Sequence, residues 1–153
     1  MVPFSDDFDD FDDFDDDDDD FNERDHSDLP VFKKAEELVK IVQSITEIIE
    51  TDDDIFMLKE QMMSNAVIIP AKIAGAEGGD IYSIRFDNAT LIKLAARELQ
   101  AQTSLLKVEE LCNPKYIELL RREIEEFRIL FLDWVRSFDK TNDIEDEWDI
   151  KNL

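Results

Sequence analysis

Histidine and cysteine each occur once in this chain, glycine three times and proline four times. A lone cysteine, Cys112, allows no intramolecular disulfide and offers zinc no second thiolate, so a reducing compartment is expected. His26, the single histidine, falls in an acidic segment where it reads as a solvated residue. Di-iron bundles need Glu-x-x-His pairs on facing helices, and a cysteine–histidine nucleophile needs the two side chains together; both chemistries are excluded. All three glycines sit in Gly75-Ala76-Glu77-Gly78-Gly79. No strand precedes this segment and no Gly-Lys-Ser/Thr follows it, so it is neither a phosphate loop nor a dinucleotide fingerprint. Glu77 and Asp80 flank the glycine pair as a conceivable carboxylate dyad, but they read more simply as a helix end and a following N-cap. No base, nucleophile or metal site assembles, and the expectation is a protein that is not an enzyme and uses no cofactor or metal.

Long uncharged apolar runs are also missing, and no stretch approaches the ~20 residues that cross a bilayer. Met-Val-Pro-Phe at the start turns acidic at once, without the basic and apolar regions of a secretory signal. A soluble cytoplasmic protein with no membrane partner is expected.

What the chain has in excess is negative charge, unevenly placed. Residues 1–28 carry fifteen acidic side chains against Arg24, residues 29–138 nineteen against fourteen basic ones, and residues 139–153 six against two. The net charges of −14, −5 and −4 make up the −23 of the chain. Three segments follow: a disordered Asp/Phe-rich tail at 1–28, a four-helix bundle at 29–138 and an acidic C-terminal tail at 139–153. Phe4, Phe8, Phe11, Phe14 and Phe21 interrupt the aspartates of the first tail. Repulsion between like charges and the low helix propensity of aspartate oppose a free helix there. The segment is either a solubilising tail or a linear ligand whose phenylalanines anchor while its aspartates steer toward a basic groove. In the second tail, Ile144, Trp148 and Ile150 are expected to dock back on the bundle.

Between the tails the pattern is helical. Ile117, Leu120, Ile124, Phe127, Phe131, Trp134 and Phe138 recur at alternating spacings of three and four, a heptad seam. Burying seven such side chains is worth on the order of 10–20 kcal/mol before entropy is subtracted, so this helix must lie against others. Asn113-Pro114 supplies its cap and first position. The first helix should span residues 29–50 with Asp28 as cap and Phe32, Ala35, Val39, Val42, Ile45 and Ile49 inward. The second should begin near Asp54 and bury Leu58, Met62, Ala66, Ile69 and Ile73, with Pro70 inside it as a kink. Asp80 should cap the third, with Ile81, Ile84, Leu91, Ala95, Leu99 and Leu106 inward. Four helices on short connections give an all-α, antiparallel up-down bundle.

The second helix is apolar almost all round, and so is the fourth between residues 129 and 135 apart from Asp133. Such surplus points to self-association, with Met63, Val67, Ile68, Leu130 and Val135 as interface candidates. Arg121, Arg122, Arg128 and Arg136 share an arc of the fourth helix, and Lys93 and Arg97 are one turn apart on the third. These six are the candidate nucleic-acid contacts. Glu118 and Glu125 fall on the same arc, so a self-neutralised face is the simpler reading.

The segment Ser64-Asn65-Ala66-Val67-Ile68-Ile69-Pro70-Ala71-Lys72-Ile73-Ala74-Gly75, with Phe86 and the helix at 94–106, resembles a bacterial four-helix bundle family. That family includes proteins encoded in intervening sequences of ribosomal RNA genes and the accessory protein of diversity-generating retroelements. The resemblance implies an up-down bundle assembled as a ring, a homopentamer. In the retroelement members it also implies a basic surface for nucleic acid and a reverse transcriptase. This chain has Lys72-Ile73-Ala74-Gly75-Ala76 where the family has Asn-Ile-Ala-Glu-Gly, and its bundle is net acidic. The first expectation is therefore a homo-oligomeric scaffold or adaptor whose acidic tails recruit a basic protein. A nucleic-acid-binding accessory protein is the second.

Overall fold

The computed structural model describes residues 25–50, 52, 57–150 and 153. A 3₁₀ turn at His26–Asp28 leads into α1 (Pro30–Ile48), α2 (Leu58–Glu77), α3 (Tyr82–Val108) and α4 (Pro114–Arg136). No strand occurs among the described residues, and the fold is an all-α bundle. Each helix packs on its neighbour in sequence, and α4 closes the square on α1, while the backbones of the diagonal pairs stay apart. Lys34 near the start of α1 meets Glu123 and Glu126 midway along α4, and Glu77 at the end of α2 meets Arg85 at the start of α3. The course is up-down and antiparallel.

The seam of α4 forms as its spacing requires, with all seven residues buried. Asn113 accepts the Lys115 N–H at 3.0 Å through its side chain, and Pro114 takes the first helical position. Its rings pack in sequence: Phe127 stacks on Phe131 at 5.9 Å, and Trp134 meets Phe138 edge-on at 4.8 Å. In α2 the five expected residues are all buried, and the helix runs through Pro70 without interruption.

Several expectations need correction. Asp28 ends the 3₁₀ turn and Leu29 is the N-cap of α1. The core stripe of α1 is Val31, Ala35, Leu38, Val42, Ile45 and Ile49, leaving Phe32 and Val39 half-buried at its edges. His26 is not solvated but half-buried, with its ring edge-on to Phe32 at 4.6 Å. α2 starts at Leu58 because Met57 is left-handed at φ 53°, a conformation that cannot sit within a right-handed helix. In the first half of α3 the phase differs from the apolar reading: Ile84 and Leu91 are 48% and 45% exposed and Ile81 is half-buried, while Ser83, Arg85, Ala89 and Ile92 are buried; further along, Ala95, Leu99 and Leu106 are buried as expected. Burial of Arg85 against Glu77 sets the rotation of the helix, and Ile84, about 100° round the axis, is turned outward. Trp148, Ile144 and Ile150 do not dock; they are 88%, 53% and 78% exposed. The tail phenylalanines Phe4, Phe8, Phe11, Phe14 and Phe21 lie outside the described residues.

Candidate functional site

Three side chains from three helices meet at the end of the bundle where α2 passes to α3. The Glu77 carboxylate accepts hydrogen bonds from the Arg85 guanidinium and, at 2.7 Å, from Trp134 Nε1. Arg85 also lies 4.2 Å above the centroid of the Phe138 ring and 3.9 Å from Asp80. All of these except Asp80 are buried. The arrangement is a closed ion pair with a ring above it. Glu77 is thereby held as the inward counter-ion of Arg85, while Asp80 stands half exposed at its edge.

The C-terminal segment finishes this end by polar contacts. Asp143 accepts from the Ser83 N–H at 3.0 Å and the Ser83 hydroxyl at 2.7 Å, and the Asn142 carbonyl accepts from the Tyr82 N–H at 2.8 Å. Ile81, not the expected Asp80, holds the N-cap position of α3. The first N–H groups of α3 are thus satisfied from 60 residues away.

α3 is flanked by two grooves of different chemistry. Between α3 and α4 a groove of about 270 Å³ is lined by Lys93, Arg97, Gln100, Arg128 and Glu125 above the rings of Phe127 and Phe131. Arg128 is held by Glu125 through two bonds of 2.9 and 2.5 Å, which lowers the Glu125 carboxyl below its usual range and raises the guanidinium. Lys93 and Arg97 make no ion pair with any described residue. Between α2 and α3 a shallower groove of about 230 Å³ is lined by Ile68, Leu91, Leu94 and Ala95, with Lys72 and Glu98 on its rim. Leu94 is 53% exposed, and Ile84, one heptad before Leu91, continues the open apolar strip. On the opposite side of the bundle, Ile41, Ile48, Tyr116 and Leu119 line an apolar groove between α1 and α4.

The other residues singled out in the sequence are scattered over these surfaces. Val67 is exposed, whereas Met63, Ile68, Leu130 and Val135 are half-buried and pack on the core. Arg121 donates to the Thr103 and Ser104 hydroxyls on α3 at 3.0 and 3.4 Å and lies 3.8 Å from Glu118. Arg122 is 3.9 Å from Glu123, and Arg136 is 2.7 Å from Asp133. The α4 arginines are therefore each engaged by a neighbour. Missed entirely was Lys34, which inserts between Glu123, Glu126 and Glu37. Burial works against its charge, but the three carboxylates outweigh that and hold the ammonium pKa well above its usual value. Burial also raises the thiol of half-buried Cys112, which disfavours the reactive thiolate. Among the described residues, no three His, Cys, Asp or Glu side chains are grouped to hold a metal, and no helix is long and apolar enough to cross a membrane.

No family model matches the chain, and no curated protein matches it. Among solved structures, one from Bacteroides thetaiotaomicron is similar, described as a protein with unknown function from the S23 ribosomal protein family. The two align with a TM-score of 0.63 over 70% of this chain and 96% of the other, at 17% identity. What they share at that identity is a helical fold.

Proposed function

We propose that this chain is a non-enzymatic, self-associating four-helix bundle that serves as a scaffold, with its acidic ends recruiting a basic partner. The observation that carries the self-association is the open apolar strip of Ile68, Ile84, Leu91 and Leu94 along the α2–α3 groove. A chain of net charge −23 repels its own copies, so a self-contact must be close to neutral where it forms. The α2–α3 groove meets that condition, with Lys72 and Glu98 as its only charged lining residues. The α1–α4 groove on the far side is apolar too, with Lys40 alone on its rim. Two apolar faces on opposite sides suit a head-to-tail contact, which closes into a ring when successive copies are inclined. The resemblance of the α2 segment implies five copies. The recruiting role is supported by Trp148, which stands exposed among Asp146, Glu147 and Asp149 as an aromatic anchor in an acidic setting.

Light scattering on the full chain tests this. Five copies of 17.9 kDa give about 90 kDa. The double variant Leu91→Asp, Leu94→Asp should bring the mass down toward one copy with helical circular dichroism unchanged. A mass of one copy for the unaltered chain overturns the scaffold reading.

A further inference from the structure

The α3–α4 groove is an exception on an acidic molecule. Its lining holds Lys93, Arg97 and Arg128 against Glu125 alone, a net of +2 on a chain of −23. Its floor is apolar, made by Ala96, Ile124, Phe127, Phe131 and Leu132. At about 270 Å³ it falls just below the ~300–1,000 Å³ of pockets that enclose drug-sized ligands. That size suits an aromatic side chain or two presented by an extended segment. A cationic rim over an apolar floor is complementary to a segment that alternates aromatic and acidic residues.

Such a segment lies in the same polypeptide. We propose that the α3–α4 groove is the docking site of the chain's own residues 4–14, with Phe8 and Phe11 entering the floor and the intervening aspartates meeting Lys93 and Arg97. The described chain begins at Asp25, and its first turn, His26–Asp28, packs on α1 and α2, across the bundle from the groove. Lys93 is eleven residues into α3, about 17 Å along the bundle axis from Tyr82 at 1.5 Å per residue. Crossing from the α1–α2 side to the α3–α4 side adds two helix diameters, ~20–24 Å. The fourteen residues from Phe11 to Asp25 extend to about 46 Å, enough for both, and the chain from Phe8 reaches further still. Tethering makes modest affinity sufficient, because a short linker sets an effective concentration on the order of millimolar. Charge supports the same occupant: Lys93 and Arg97 are unpaired among the described residues, and residues 1–24 contain thirteen of the chain's acidic side chains. A docked tail is withheld from any basic partner until that partner outcompetes two lysine and arginine contacts. The inference does not depend on self-association, which uses the other side of α3.

The test is zero-length carbodiimide cross-linking of the full chain, read by mass spectrometry after trypsin. Residues 1–24 contain no lysine and end in the first arginine, so the tail is released as one peptide. The expected result is tail peptide joined to Lys93 at about ten times the yield seen at the equally exposed Lys107 and Lys115. Arg97→Gln, which leaves the Lys93 amine in place and adds no carboxylate beside it, should lower that yield several-fold, and replacing Phe8 and Phe11 by serine at unchanged charge should lower it about tenfold. Yield spread evenly over exposed lysines, or untouched by the serine variant, overturns the docking. In a mixture of nitrogen-14 and nitrogen-15 chains, products joining unlike chains would replace the chain's own tail by that of a second copy and overturn the proposal as stated. Loss of the Lys93 product on adding equimolar short single-stranded RNA would assign the groove to nucleic acid instead.

Discussion

The two ends of the bundle are closed by different means. At the end where α2 meets α3, Glu77, Arg85 and Trp134 form a buried knot across three helices, and Asn142 and Asp143 tie the C-terminal segment to the first turn of α3. At the opposite end, the α3–α4 junction turns on the backbone: N–H groups of Glu109, Glu110 and Leu111 reach the carbonyls of Leu105, Lys107 and Leu106. Glu110 there, and Met57 at the α1–α2 junction, sit at φ 52° and 53° without being glycine. One end is held by partners far apart in sequence, the other by its own local geometry. Stability should therefore respond in opposite directions to substitution at the two ends.

The largest effect is expected from Glu77→Ala, which leaves Arg85 buried without its counter-ion. Breaking one side of a buried pair costs about 3–5 kcal/mol, to be read as a shift in the urea midpoint. A loss below about 1 kcal/mol would mean that the knot is ornamental and the two ends alike. Asp143→Ala removes a cap provided from a distance, and a loss of about 1 kcal/mol is expected from thermal unfolding of the full chain. At the turn end, Glu110→Gly relieves a left-handed backbone and should raise stability by up to about 1 kcal/mol. A destabilising result there would show the turn to be held by its side chain after all.

The smallest effect concerns pH, near the knotted end. The Glu126 carboxyl is lowered by its hydrogen bond to Lys34. A carboxyl lowered on folding contributes stability that is present above its unfolded value, 4.5, and is lost as pH falls through the lower folded value. Lys34, raised on folding, contributes below its unfolded value of 10.5 and loses that contribution only as pH rises beyond it. Relief of repulsion among the aspartates acts oppositely in acid, so the readout is the difference between the unaltered chain and Lys34→Met. That difference in melting temperature should be constant between pH 6 and 8 and shrink below pH 4.5. An unchanging difference down to pH 3 would remove the ion cluster from the account.

The contrast between the ends is also a contrast in what a sequence displays. Asn113-Pro114 and the α4 seam were legible because cap, first position and periodicity all lie within one helix. Pro70 was placed inside α2 for the same reason. The knot was not legible: Glu77 and Trp134 are 57 residues apart, and nothing beside Glu77 marks it as buried. Missing it had a consequence, since the rotation of α3 follows Arg85. Ile84 and Leu91 were read into the core because they are apolar, so the open strip on α3 went unseen. The cap on α3 was sought in Asp80, next in sequence, when Asp143 supplies it. Of the candidate surfaces, Lys93 and Arg97 were visible as a pair one turn apart, but the apolar floor beneath them required the packing of α4.

An even number of antiparallel helices brings the chain back to the side from which it set out. The segment that precedes α1 and the one that follows α4 therefore leave from the same end of the bundle. Residues 1–28 and 139–153 together carry −18 of the −23 charges, so most of the excess negative charge is attached to one pole, against a smaller acidic group that includes Glu50, Asp52, Glu109 and Glu110 at the other. Such a body has a permanent electric dipole along the bundle axis. A cationic partner approaching from any direction exerts a torque on it, and the two meet with the acidic pole already turned inward.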